Sequence, residues 1–100
     1  MNVRRMKPDD RRSAILSAAV SAATNVGYVA LTGRGVATAS GVSLGLVMHY
    51  FKTTEELKSA IMQYAVDNRI LSIIAEGLAI RDPIALAAPT NVRAAAIETL

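Results

Sequence analysis

The chain has 100 residues, 52% of them hydrophobic, with no cysteine and a single histidine, His49. Without cysteine there is no disulfide or thiol chemistry, and one histidine is too few for an ordinary metal site, so we expect no cofactor and no enzyme. No apolar run reaches the roughly 20 residues of a membrane span, and no signal peptide follows the basic N-terminus, which predicts a cytoplasmic protein without a membrane partner.

The net charge of +3 is unevenly distributed along the chain. Residues 1–52 contain seven lysines and arginines against two acidic residues, whereas residues 53–100 contain four against six, which gives net charges of +5 and −2. A basic half favours a polyanionic partner such as nucleic acid. The alternative is that the N-terminal arginines only solubilise a frayed terminus.

The first predicted elements are an arm and a long helix. Residues 1–8 are predicted to form a basic flexible arm. Pro8 followed by Asp9 and Asp10 is typical of a helix start, because proline is tolerated there and acidic side chains suit the first turn. Apolar residues at spacings of three and four continue the helix to Gly27, which can close it.

Two short helices are predicted next. Thr32 is the predicted N-cap of a second helix that runs to about Ala39. Ser43 is the corresponding cap for a third helix that runs to about Tyr50. Gly41 lies between them and supplies a turn.

A fourth helix begins at Thr53, which forms the capping-box spacing with Glu56. Its apolar residues recur at spacings of three, four or seven, which fits either a helix of about two dozen residues or one that breaks near Asp67. Asp82 precedes a proline and predicts another short helix, and Thr90 is the predicted cap of a last one.

The stretch from Gly33 to Lys52 has the residues that a helix-turn-helix requires. Two helices that cross closely need a small residue at the crossing, a flexible residue in the turn and aliphatic residues that hold the second helix. Ala37, Gly41 and Val47 occupy these places, and Val42 adds a core contact.

The segment SGVSLGLVMHYF, preceded by Gly27-Tyr28 and followed by the capping region 53–57, resembles the N-terminal DNA-binding domain of the TetR (tetracycline-repressor-like) family. The resemblance covers roughly residues 11–66. It implies an all-α fold: a homeodomain-like three-helix helix-turn-helix domain over residues 9–66, then a long fourth helix and one or two short C-terminal helices.

The resemblance also implies that the third helix enters the major groove of DNA. Ser43 and His49 could bond phosphates or base edges, Leu44 could pack on a thymine methyl, and the arm could reach a minor groove. The resulting candidate DNA contacts are Arg4, Arg5, Tyr28, Arg34, Ser43, Leu44, Gly45, Met48, His49 and Lys52. For Tyr28 the alternative is an ordinary packing role.

Two residues depart from the family pattern. Met48 stands where the family often has an aromatic residue, and Thr54 stands where it often has a lysine. The exposed side of the third helix also lacks Arg, Asn and Gln, which are the side chains best suited to reading bases. We therefore expect affinity to depend on the arm, on DNA shape and on dimerisation.

Residues 67–100 are strongly apolar and form the third predicted segment. They are too short for an ordinary enclosed ligand cavity, so we expect no small-molecule effector. Exposed aliphatic patches usually mark an interface. We predict a homodimer through residues 67–100; alternatively, the chain is a fragment and a missing part covers this surface. The ten aliphatic residues are Ile70, Leu71, Ile73, Ile74, Leu78, Ile80, Ile84, Leu86, Ile97 and Leu100.

Two functions are compatible with these patterns. The first is a sequence-specific DNA-binding transcription regulator, most simply a repressor that binds a short palindrome of double-stranded DNA as a dimer. The second is a protein-interaction module that pairs with and inhibits another protein without reading DNA, which Leu44, Met48 and Thr54 favour. A steep loss of DNA affinity with salt would distinguish them.

Overall fold

The computed structural model describes residues 7–100, which contain seven helices and no strand. The all-α fold that the sequence predicts is confirmed. None of the helices in this range is both long and apolar enough to cross a bilayer. The helices are α1 (Pro8–Val26), α2 (Gly33–Ser40), α3 (Leu44–Phe51), α4 (Thr54–Asp67), α5 (Leu71–Ala79), α6 (Pro83–Leu86) and α7 (Thr90–Ile97).

The predicted starts of α2, α3 and α4 are confirmed by their caps. The hydroxyl oxygen of Thr32 accepts a hydrogen bond from the Gly35 amide at 3.0 Å. Ser43 and Thr53 do the same, each at 3.1 Å, for the amide three residues further along. Each cap satisfies one of the main-chain donors that a helix leaves free at its N-terminus.

The turn between α2 and α3 is made at Gly41. Its φ of 70° and ψ of 28° lie in the left-handed region that favours glycine. The Val42 amide donates to the Ala37 carbonyl at 3.1 Å across this turn. The chain can therefore reverse without leaving the last carbonyls of α2 unpaired.

Helix α4 ends at Asp67, the nearer of its two predicted ends. The Asn68 side chain donates to the Tyr64 carbonyl at 2.9 Å, and Arg69 adopts a positive φ of 54°. These contacts close the helix and turn the chain back. The expected long fourth helix is thus 14 residues long, and three helices follow it where one or two were expected.

The start of α6 is as predicted, whereas the cap of α7 is not. An Asp82 carboxylate oxygen accepts from the amides of Ile84 and Ala85 at 2.9 and 3.2 Å. Thr90 is the first residue of α7 and does not cap it, because its hydroxyl accepts from the Arg93 guanidinium at 3.2 Å instead.

Side chains from both halves of the chain form one hydrophobic core. Ile15 of α1, Val36 of α2, Ile61 of α4 and Ile74 of α5 are all completely buried in it. The predicted division at residue 67 is therefore not a gap in the packing. Because α4 and α5 share this core with α1 and α2, the C-terminal helices directly support the helix-turn-helix.

The described residues cover more of the C-terminal aliphatic surface than the sequence predicts. Helix α5 packs against α4, α6 and α7, so Ile73 and Ile74 are fully buried. Four more of the ten are partly buried: Ile70, Leu71, Leu78 and Ile84. A single chain therefore covers these six, wholly or in part. Those that stay exposed are Ile80 (53%), Leu86 (45%), Ile97 (56%) and Leu100 (78%).

Candidate nucleic-acid interface

Helix α3 is held by one face and presents the other to solvent. Val47 is fully buried and Phe51 is 2% exposed, and both belong to the core. Ser43, Gly45 and His49 are exposed. The helix thus offers a protruding outer surface at its N-terminal end and middle, on a base that the core fixes.

Leu44 and Met48 are less available than the sequence predicts. Both are half-buried, and both lie beside Gly33 at the start of α2. A Cβ at Gly33 would come within 3.2 Å of the Leu44 Cδ1 atom and 3.8 Å of the Met48 sulfur. Because Gly33 has no side chain, Leu44 and Met48 can pack against it. They are therefore packing residues, and only their solvent-exposed atoms can reach a ligand.

Ser43 has two possible uses for one hydroxyl group. Its oxygen accepts from the Leu46 amide and caps α3, so that lone pair is occupied. The hydroxyl proton can still be donated to a phosphate or a base acceptor. Ser43 therefore combines a structural role with its predicted contact.

His49 and Lys52 stand together at the C-terminal end of α3. The Lys52 ammonium donates to the His49 carbonyl at 2.9 Å, and Lys52 ends the helix with a positive φ of 61°. The His49 ring packs edge-on against Tyr50, with ring centres 5.1 Å apart. Both polar tips remain on the exposed surface, as the predicted contacts require.

Two arginines of neighbouring helices add to the charge near the helix-turn-helix. Arg34 is exposed at the second residue of α2. The Arg12 guanidinium of α1 lies over the Phe51 ring, 4.7 Å from its centre. The contact between Arg12 and α3 was not predicted from the sequence. The available signal was its position three residues before Ile15, which puts the exposed Arg12 on the helical side that carries this core residue.

Tyr28 does not lie where a phosphate could reach it, which corrects that prediction. It is 2% exposed, and its hydroxyl donates to the Lys58 carbonyl at 3.1 Å and to Asp82 at 3.3 Å. Burial, followed by the charge and hydrogen bond of Asp82, raises the pKa of the phenol. Tyr28 is therefore a neutral packing residue. The predicted contacts Arg4 and Arg5 lie outside the described residues.

The Lys58 ammonium lies over the Tyr28 ring, 4.7 Å from its centre. Burial lowers the pKa of Lys58, and the nearby Glu76 carboxylate opposes that shift. It donates to the main-chain carbonyls of Tyr28 and Val29, the latter at 3.3 Å. Sequence patterns did not single out Lys58, because its partners are about 30 residues away in the chain.

A groove of about 600 Å³ lies between the end of α4 and the α6–α7 region, and it is open to solvent. This groove is not the enclosed cavity of an ordinary effector site. That the protein has no small-molecule effector remains a prediction. No group of three or more His, Asp or Glu side chains within residues 7–100 could hold a metal ion.

Helices α2 and α3 are short and are joined by a glycine turn. Aliphatic residues anchor α3, whose outer face is exposed. This arrangement defines a helix-turn-helix DNA-binding protein. Residues 15–61 match the family of bacterial regulatory proteins called the tetR family. This match supports the N-terminal helix-turn-helix domain of the TetR family that the resemblance implied. No curated protein and no solved structure matches the chain.

Proposed function

We propose that the protein is a repressor that binds a short DNA palindrome as a homodimer in the cytoplasm. The observation that carries this proposal is the exposed face of α3, where Ser43, Gly45 and His49 protrude from a helix that Val47 and Phe51 hold in the core. A helix presented in this way fits the major groove.

The bases would be read by few side chains. Gly45 has no side chain, so the main chain of α3 can come close to the DNA. His49 can donate to a purine acceptor, and the Ser43 hydroxyl can donate to a base or a phosphate. Arg34 near the start of α2 and Lys52 at the end of α3 are exposed cations, and cations contribute affinity by neutralising phosphates.

The dimer would form through residues 67–100. Four large aliphatic residues of this segment are exposed, and burying them against a second copy would remove apolar surface from water. In a two-fold dimer the two α3 helices would bind half-sites roughly 34–36 Å apart, one turn of DNA. The four residues are Ile80, Leu86, Ile97 and Leu100.

The test is the selection of bound fragments from a random pool of double-stranded DNA, with Gly45→Glu and Gly45→Gln as the paired variants. A Cβ at Gly45 meets nothing closer than the Ser43 oxygen at 3.8 Å, so both variants should fold. Glutamate suits the first turn of a helix but repels DNA, whereas glutamine adds similar bulk without charge.

We expect the wild type to enrich a palindrome, Gly45→Glu to lose it, and Gly45→Gln to retain some binding. Sedimentation of the wild type and of Ile97→Asp should show a dimer that the variant weakens. Failure of the wild type to enrich any sequence would overturn sequence-specific binding. A monomer at the concentrations that bind DNA would overturn the dimer.

A further inference from the structure

The turn between α1 and α2 is attached to the rest of the molecule by two side chains of opposite charge. Glu76 of α5 accepts from the Tyr28 amide at 2.7 Å through one carboxylate oxygen and from the Val29 amide at 3.3 Å through the other. Lys58 of α4 donates to the carbonyls of the same two residues. We call these contacts the turn clamp.

The turn clamp supplies hydrogen-bond partners to the main-chain groups of Tyr28 and Val29. The turn contains one internal hydrogen bond, from the Leu31 amide to the Gly27 carbonyl at 3.2 Å. The amides and carbonyls of Tyr28 and Val29 all point to the clamp instead. A carboxylate that accepts two amides forms charge-assisted bonds, which are stronger than neutral ones.

Gly27 gives the carboxylate room to approach. Its φ of 97° is accessible to glycine and strained for other residues. A Cβ at this position would lie 3.3 Å from a Glu76 carboxylate oxygen. The Tyr28 ring, buried beside the same contacts, adds a link to α4 and Asp82. The turn is thus fixed to α4, α5 and the start of α6.

The position of this turn matters for α2 and α3. Thr32, which caps α2, follows the turn directly, and α2 and α3 pack on each other. Glu76 itself lies outside residues 15–61, which match the family. A residue beyond the matched domain therefore completes the hydrogen bonding of a turn inside it.

We propose that Glu76 is a positioning residue for DNA binding: through the turn clamp, helix α5 holds α2 and α3 in the orientation that fits the major groove. The inference rests on the proposed function. A turn released from Glu76 would have several orientations in the free protein, and binding DNA would then require ordering it. DNA affinity would fall although no phosphate contact is lost.

The experiment compares Glu76→Gln with Glu98→Gln. Both remove one negative charge, which alone would favour DNA, but Glu98 is an exposed residue at the end of α7 and is not part of the turn clamp. The first measurement is amide hydrogen exchange at Tyr28 and Val29 without DNA. The second is affinity for the duplex that the wild type selects, over a range of salt and at a temperature where every variant is folded.

We expect Glu76→Gln to speed exchange at both amides and to weaken DNA binding about tenfold, which is what the loss of a charged hydrogen-bond acceptor produces. The slope of affinity against salt should stay at the wild-type value, because no phosphate contact changes. Glu98→Gln should leave exchange unchanged and not weaken binding. A merely structural role would lower the melting temperature and leave the affinity of the folded protein unchanged.

Equal affinities of the wild type and Glu76→Gln would overturn the inference and leave the proposed function standing. A wild type that binds no DNA would instead overturn the proposed function, whatever the exchange rates. Should Glu76→Gln fail to fold, Glu76→Asp retains the charge and shortens the side chain, and the same comparison applies.

Discussion

The guanidinium of Arg12 lies 4.7 Å from the centre of the Phe51 ring, so a cation of α1 stands beside the C-terminal end of α3. In this position it can contact a phosphate that flanks the base pairs beneath α3. We expect Arg12→Gln to weaken binding about equally for all DNA sequences and to lower the salt slope by about one. Fluorescence anisotropy over a series of salt concentrations measures both.

The control for Arg12 is Arg93→Gln, which removes the same charge from α7. It should weaken binding less and leave the salt slope unchanged, because α7 packs on α5, away from α3. Equal losses in the two variants would show that only net charge matters and would contradict a specific contact for Arg12.

The caps of α3 and α4 should contribute similarly to stability. Removing the Ser43 or the Thr53 hydroxyl leaves one main-chain donor of the helix without its partner. We expect Ser43→Ala and Thr53→Ala each to lower the free energy of unfolding by about 1 kcal/mol in urea titrations. Only Ser43→Ala should also reduce DNA affinity of the folded protein. Unchanged stability of Ser43→Ala would refute its role as a cap.

At Gly77, helix α5 comes close to α4 and α6. A Cβ there would overlap the Met62 methyl group and would lie 2.8 Å from the Ala85 Cβ. The end of Met62 can move, but Ala85 is held by the main chain of α6. We expect Gly77→Ala to lower the free energy of unfolding by about 1–3 kcal/mol.

The matched control for Gly77 is Gly45→Ala, where a Cβ has no contact closer than 3.8 Å. Because alanine is the better helix former, this variant should gain roughly 0.5–1 kcal/mol. Thermal or urea unfolding of the two variants measures the contrast. A Gly77→Ala protein as stable as the wild type would show that α5 and α6 can separate at little cost.

Tyr28 should make stability fall at alkaline pH. Its pKa in the folded protein is raised above the 10.0 of a free phenol, by burial first and then by Asp82. The folded state therefore keeps a proton that the unfolded state loses. This contribution is complete below about pH 10 and is lost as the pH rises further. Urea unfolding at several alkaline pH values should show a smaller decrease for Tyr28→Phe than for the wild type, and an equal decrease would contradict the shift.

The helix starts could be predicted from the sequence because their signals are local. Thr32, Ser43 and Thr53 each lie three residues before the amide they accept from, so the spacing alone identifies them. Gly41 likewise shows its turn by residue type. The end of α4 was harder to predict, since Arg69 takes a left-handed conformation that arginine rarely adopts.

The long-range contacts could not be predicted in the same way. Glu76 and Tyr28 are 48 residues apart, and no pattern links a carboxylate in an apolar helix to two amides of a distant turn. Tyr28 was a predicted DNA contact because its position matched the family, whereas its environment depends on Lys58 and Asp82. Leu44 and Met48 were predicted DNA contacts, but their packing beside Gly33 covers part of each.

The packing of Leu44 and Met48 beside Gly33 also limits how the exposed face of α3 can be redesigned. Changes at Leu44 or Met48 would disturb the packing of α3 on α2, and changes at Ser43 would remove a cap. Gly45 and His49 are exposed, and their side chains neither pack α3 on α2 nor cap α3. A library that randomises these two positions should therefore yield folded proteins with altered operator preferences, which makes the scaffold a starting point for orthogonal regulators in engineered gene circuits.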